Sequence, residues 1–281
     1  MTFELPVLAP GPKEFAFACN RCGNCCTNAS GYVWVSDAEV PRLAAAMGME
    51  ERAFARRHLR KVGDRLSLVE EGGRCSLLLG KNECGAYAAR PEQCRTYPFW
   101  PEITAGGEAY AAAKSVCPGI LEAPPRDARH RAYAALADFY RRADLAIGAL
   151  QPRCEMSGEC CDFPKAGHRL FATLLEVDYA AEKGPEARGT AGHPEWCAFW
   201  IGRRCTAREV RPLACRTYYC DVTTTAPLLD LHETLLAELR ALARAHAYPE
   251  GYGDFVELLP ARRAAIELLD RARGAAAEVS Q

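Results

Sequence analysis

The sequence predicts an α+β protein, mainly helical with short β-hairpins, in which irregular metal-stabilised Cys-rich modules stand in tandem ahead of a C-terminal helical hairpin. Three observations predict this. Fifteen cysteines crowd a chain of 281 residues. Residues 84–100, CGAYAARPEQCRTYPFW, and 205–221, CTAREVRPLACRTYYCD, agree at eight of seventeen positions, against about one in seventeen expected by chance. Ala, Leu, Phe and Tyr recur at helical spacing beyond residue 126 and again toward the C-terminus.

Taken in chain order, the first cluster is CNRCGNCC at 19–26, and CEMSGECC at 154–161 repeats it with Ser157 where the first has Cys22. The segment 32–35, YVWV, has strand character, and Ser36 with Glu39 forms a capping box that opens a helix toward Met47. A second helix is expected over about 50–62. Residues 66–79 read as two short strands joined at Glu71-Gly72-Gly73. Pro91 suits the first turn of a short helix carrying Cys94 and Arg95. The break at Ala123-Pro124-Pro125 precedes a connecting helix over about 127–149, and helices over 226–247 and 255–278 flank a turn at 249–253. The organisation expected is a first module at 13–122, a connecting helix at 123–150, a second, degenerate module at 151–225 and C-terminal helices at 226–281. The offset between the halves is 122 residues for Cys75 and Cys197 but 121 for Cys84 and Cys205, so one residue is lost between those pairs.

Thiolates are soft ligands suited to zinc, copper(I) and iron–sulfur clusters. The candidate metal ligands are Cys19, Cys22, Cys25, Cys26, Cys75, Cys84, Cys94 and Cys117 in the first half, and Cys154, Cys160, Cys161, Cys197, Cys205, Cys215 and Cys220 in the second. Arg90, Arg95, Arg211 and Arg216 recur beside them, either as cations supporting thiolates or as donors to backbone carbonyls. The run Cys19-x2-Cys22-x2-Cys25 with a remote Cys117-Pro118 follows the bacterial ferredoxin pattern, which favours an iron–sulfur cluster, of the 4Fe–4S type, over zinc. Eight thiols shared between two tetrahedral zinc ions is the alternative. Because a serine hydroxyl is not ionised near neutral pH, the second site is expected to hold fewer metals, to take a replacement ligand such as Cys220, or to bind nothing, with His168 or His193 as further candidates. Tyr97 and Tyr218 also recur and are expected to pack.

CNRCGNCC, followed by Cys84, Arg90-Pro91 and Cys94-Arg95, resembles the YkgJ-type CxxCxxCC cysteine-cluster family, whose members are described as zinc- or iron-chelating. The resemblance extends to the cysteine-rich part of flagellin lysine N-methylases and implies that the module is the functional unit.

The formal charge of −1, with acidic and basic residues interspersed, offers no footprint for nucleic acid or an anionic membrane. No segment approaches the length of an apolar transmembrane helix, and Met1 to Phe17 lacks the anatomy of a signal peptide, so the expected location is the cytoplasm. No dinucleotide fingerprint, phosphate-binding loop or nucleophile elbow occurs. The function expected is metal binding in electron transfer, sensing or metal handling. An enzyme with a supporting cluster, such as a protein lysine N-methylase-like activity, and a structural-zinc interaction module are the alternatives.

Overall fold

Segments of two to four residues bounded by glycine and proline are too short to build a continuous sheet, and the chain arranges them as separate small ribbons. The computed structural model describes residues 5–27, 31–185 and 195–279. It divides into two units, residues 1–121 and 122–281.

In the first unit, β1 (Val7–Leu8) and β2 (Ala16–Phe17) join β10 (Ile120–Leu121) in a three-stranded antiparallel ribbon. The turn after β2 leads to α1 (Asn24–Thr27), which carries Cys25 and Cys26. The strand β3 (Trp34–Val35) then ends at the Ser36 capping box, as the sequence predicts, and a 3₁₀ turn passes into α2 (Val40–Ala46). Helix α3 spans Glu51–His58 only. Residues 59–62, expected as its last turn, are instead β4 (Leu59–Val62), paired along its whole length with β5 (Arg65–Leu68). The ladder hydrogen bonds to β5, which β3 pairs on its other edge, override the helical reading, as tertiary pairing does for short apolar runs.

The hairpin predicted around Gly72-Gly73 forms from β6 (Glu70–Glu71) and β7 (Arg74–Cys75), with Glu70 opposite Cys75. A second hairpin, β8 (Leu78–Leu79) with β9 (Glu83–Cys84), follows directly. Pro91 caps α4 (Glu92–Thr96), and α5 (Pro101–Thr104) and α6 (Gly107–Val116) complete the unit. Two small cores result. Val35, Leu43, Phe54, Leu68 and Leu77 are buried together with Cys75 and Cys84 at their edge. Phe15, Ile103, Tyr110 and Ile120 form the other, with Tyr97 and Cys117 packed against it.

The second unit is built on α7 (Arg126–Ala149), the predicted connecting helix. After α8 (Phe163–Ala166), β11 (Phe171–Thr173) leads into α9 (Leu174–Lys183), and the hairpin β12 (Trp200–Ile201) with β13 (Arg204–Cys205) precedes α10 (Leu213–Arg216). The C-terminal helices are α11 (Thr225–Ala245) and α12 (Phe255–Val279). The first packs chiefly on α7 and the second on α9. Between them, residues expected as a turn form β14 (Tyr252–Asp254), which pairs with β11.

Buried ion pairs weld these helices. Arg129, 0% exposed, reaches Glu182 at 2.9 Å and Asp270 at 2.7 Å. Arg262 donates Nε to Asp178 at 2.7 Å, and the Tyr248 hydroxyl donates to the same carboxylate at 2.6 Å. Each charge is matched and its remaining lone pairs are used, which is the condition for burying it. Among the described residues, no helix is long and apolar enough to cross a membrane.

Candidate metal centres

All fifteen cysteines are free thiols. In the first unit, the loop carrying Cys19 and Cys22 reverses direction through left-handed residues, Arg21 at φ 55° and Gly23 at φ 79°. The Cys26 N–H then donates to the Gly23 carbonyl at 2.9 Å. Gly23 is needed twice, because a Cβ there would come within 2.9 Å of Asn82 Cα in the β8–β9 loop. Asn82 in turn donates Nδ2 to the Arg21 carbonyl at 3.2 Å, so the hairpin bearing Cys84 clamps the front loop. Helix α1 lies against β7, which brings Cys25 and Cys26 to Cys75. The helix bearing Cys94 is anchored by Glu39: one carboxylate oxygen accepts the Ser36 N–H at 2.8 Å and the other accepts the Glu92 N–H, at the start of α4, at 2.7 Å.

Mutual electrostatics sort these thiols. Cys26 feels Cys25, Cys75 and Cys84, while Cys94 feels Cys75, Cys25 and Cys84. Cys117 feels Cys22 and Cys25, and Cys22 feels Cys25 and Cys19. We group them as an inner set, Cys26, Cys75, Cys84 and Cys94, and an outer set, Cys19, Cys22, Cys25 and Cys117, with Cys25 common to both: it acts on Cys75, Cys84 and Cys94 as well as on Cys22 and Cys117, and its Sγ meets Cys26 Sγ at 3.8 Å. Burial pushes the Cys94 thiol up to about 12 and Cys117 up to about 11, with neighbouring thiols adding to both. Cys25 goes the other way: its hydrogen bond with Cys26, against the cost of burial and helped by Arg90, holds it down to about 6. Cys26, sharing that proton, lies well above the ordinary thiol range.

Arg90 donates Nε to the Tyr87 carbonyl at 2.9 Å and stacks on the Tyr87 ring, while its charge offsets part of the burial that raises Cys84. It thus performs both roles weighed from the sequence. Arg95 is exposed. Tyr97, expected as packing, does pack edge-on against Trp100 but also hydrogen-bonds Cys117, placing a hydroxyl at the outer set.

The second unit repeats much of this local geometry. Met156 at φ 55° and Gly158 at φ 73° make the same left-handed reversal, and the Cys161 N–H donates to the Gly158 carbonyl at 3.1 Å. A Cβ on Gly158 would overlap the Arg203 carbonyl oxygen in the β12–β13 loop. That loop has two residues, Gly202 and Arg203, where the β8–β9 loop has three, 80–82. The shorter turn accounts for the change of offset from 122 to 121, and its two left-handed residues suit a two-residue hairpin. A capping box that the sequence reading missed, Thr173 with Glu176, does the work of Ser36 and Glu39. Glu176 accepts the Thr173 N–H at 2.9 Å and, through its other oxygen, the Leu213 N–H of α10 at 2.6 Å.

Here Cys161 feels Cys160, Cys197 and Cys205, and Cys215 feels Cys161 and Cys205, which gathers an inner set of Cys161, Cys197, Cys205 and Cys215. Cys220 feels Cys160 and Cys154 and is exposed, as Cys154 is. Arg211 donates Nε to the Arg208 carbonyl at 3.0 Å; Cys160 is raised chiefly by its hydrogen bond with Cys161 and Cys215 by burial, and the Arg211 charge offsets a part of each. Arg216 turns away to Asp144 at 2.6 Å, to the Arg211 carbonyl at 2.9 Å and onto the Tyr140 ring, so its contacts are those of the fold. Tyr218 lies near Cys220 and Cys160. His168 sits between the Phe163 and Tyr218 rings, 5.4 and 4.6 Å between centroids, and His193 falls outside the described residues.

Among the described residues, no three Cys, His, Asp or Glu side chains stand close enough to enclose an ion, so the thiols are gathered within electrostatic reach rather than closed into a coordination sphere. The donor chemistry fits zinc or iron–sulfur: in each inner set the neighbours are other thiols, backbone N–H groups and one guanidinium, with Glu70 near Cys75 the one carboxylate. Residues 18–118 match the family model CxxCxxCC, described as a candidate zinc- or iron-chelating domain. No solved structure matches the chain.

Proposed function

We propose that the chain is an iron–sulfur protein in which residues 151–225 are a diverged second copy of the module at 13–122, serving electron transfer, sensing or metal handling in a reducing compartment. The observation that carries the cluster assignment is the approach of Cys117 to Cys22 and Cys25. That proximity supports treating the Cys-x2-Cys-x2-Cys run and the remote Cys-Pro, a ferredoxin-like pattern in sequence, as one ligand set. The parallel left-handed turns, hairpins, Arg–carbonyl bonds and capping glutamates support the duplication. A bound cluster would supply one-electron chemistry. The chain's own contribution is to hold the thiols, offset part of the cost of ionising them with Arg90 and Arg211, and offer hydrogen bonds from Tyr97 and the loop N–H groups.

A second reading, zinc in the inner sets, is favoured by Cys26, Cys75, Cys84 and Cys94 coming from four separate elements without a close Cys run. Anaerobic purification followed by a visible spectrum and iron, sulfide and zinc quantification tests both. Broad absorption near about 400 nm with equal iron and sulfide, falling in Cys117→Ser, is expected for a cluster in the outer set. Colourless protein with zinc in proportion to the thiol sets would overturn that assignment in favour of zinc.

A further inference from the structure

The outer thiols of the second unit differ from those of the first in one atom that matters. Ser157 occupies the place that Cys22 holds: both follow a residue at φ 55°, both precede a left-handed glycine, and both side chains accept the N–H two residues on, Glu159 to Ser157 Oγ at 3.3 Å and Asn24 to the Cys22 thiol. The sequence suggests Cys220 as its replacement. The structure gives Cys220 a different partnership. The Arg153 N–H donates to Asp221 at 3.3 Å, tying the segment bearing Cys154 to the one bearing Cys220. Tyr218 stands near Cys220 and Cys160 as Tyr97 stands near Cys117 and Cys25. Cys220 therefore takes the part of Cys117, reached from the end of α10 instead of the end of α6, and the place of Cys22 is not refilled by a thiol.

We infer that Cys154, Cys160 and Cys220 form a three-thiolate metal site whose fourth position, beside Ser157, is open to exchangeable small ligands, water at rest and a stronger donor such as a thiol or cyanide when present. This rests on the cluster reading above. Three protein ligands with one exchangeable position is the arrangement by which metal sites bind exogenous molecules, whereas four closed ligands serve structure or electron transfer. Two further features suit it. Cys154 and Cys220 are exposed, so a ligand can reach the site. The Trp200 indole N–H is buried without a partner, and a Cβ on adjacent Gly158 would lie 2.9 Å from it, so a donor stands ready for an incoming acceptor. In the first unit the corresponding strand position, opposite Cys84, is Leu78.

The test uses the full chain reconstituted anaerobically with iron and sulfide. Ferricyanide accepts one electron from a cluster, and an iron without a thiolate leaves as iron(II), which is counted. Alkylation by iodoacetamide, read by mass spectrometry, reports separately which thiols of each unit are protected. The parent is expected to release one iron per chain, Ser157→Cys none, and Cys22→Ser twice the parental amount, with cyanide shifting the visible spectrum of the parent but not of Ser157→Cys. Equal release from parent and Ser157→Cys would overturn the open position. So would added release from His168→Ala, since His168 would then be the fourth ligand. Protection of Cys19, Cys22, Cys25 and Cys117 with Cys154, Cys160 and Cys220 fully reactive overturns this inference alone, whereas iron absent from both units overturns the cluster reading itself.

Discussion

The loops at 19–26 and 154–161 trace the same reversal with the same left-handed positions, yet one presents four thiols and the other three and a hydroxyl. Their inner partners do not diverge in this way: Cys75, Cys84 and Cys94 are matched by Cys197, Cys205 and Cys215. Burial separates them further, since Cys161 and Cys197 are buried while Cys154 and Cys220 are exposed. The contrast teaches that the position of Cys22 can change to serine while the turn that carries it is kept, and that the second unit exposes its first and last cysteines, Cys154 and Cys220, where the first keeps Cys19 and Cys117 half-buried.

The supports of the two units differ as well. Around α2 the first unit has its own β3, β4 and β5, whereas the second takes β14 and α12 from the far end of the chain to cover β11 and α9. Its integrity therefore depends on buried ion pairs that have no equivalent in the described part of the first unit. Arg129→Leu is expected to have the largest effect, a loss of about 3–5 kcal/mol in the second unit, because two carboxylates lose their common partner. Chemical denaturation checks it. Burial alone would raise Glu182 and Asp270, but their bonds to Arg129 outweigh it and hold both below their ordinary values of 4.5 and 3.8. The stability they contribute is thus present above those values and lost as pH falls through the lowered folded ones, so the gap between parent and variant should close in acid.

The next comparison concerns the glycines. Gly158→Ala should cost more than Gly23→Ala, each on the order of 1–3 kcal/mol. Both are left-handed, but the new Cβ meets a backbone carbonyl oxygen at Gly158 and the Asn82 Cα at 2.9 Å at Gly23. Thermal melting with metal content measured alongside would detect the difference, and equal effects would break the claim that the second front loop is packed more closely than the first.

Glu176→Gln and Glu39→Gln should follow, at about 1–2 kcal/mol each. The larger effect is expected for Glu176, which is 1% exposed against 8% for Glu39. Because each glutamate holds the first N–H of a Cys-bearing helix, the metal at the inner set should be released faster to a chelator in both variants. The smallest effect is expected from Tyr97→Phe. Removing a hydrogen bond to Cys117 should make the reduction potential of the first outer set more negative, with the metal content unchanged. Protein-film voltammetry would read it, and a potential unmoved by the change would return Tyr97 to a packing role.

Much of the site was legible before folding because ligand chemistry needs particular residue types at short spacing. The front clusters, the Arg-Pro turns, the cap at Ser36 and the Gly72-Gly73 hairpin are local features, and local features survive into the structure. The strand at 252–254 was not legible, since it exists only through pairing with β11, distant in sequence, whereas the strand at 59–62 carried a local sign, the two-residue Gly63-Asp64 turn to β5, which the helical reading of 50–62 passed over. Arg216 illustrates the same limit. Its position beside Cys215 suggests a cation for thiolates, and only the helix α7 behind it, presenting Asp144 and Tyr140, makes it a clamp of the fold.

By itself, then, the sequence determined the donor chemistry, the number of thiols and the repeated pattern that carries them, because these follow from residue identity and spacing. Tertiary structure decided which thiols lie within electrostatic reach of one another, that the segments bearing Cys154 and Cys220 are tied through Arg153 and Asp221, and that Tyr97 lies beside Cys117. Those outcomes depend on which surfaces exclude water and which elements meet, and burial and long-range contact are not properties of any local stretch of chain.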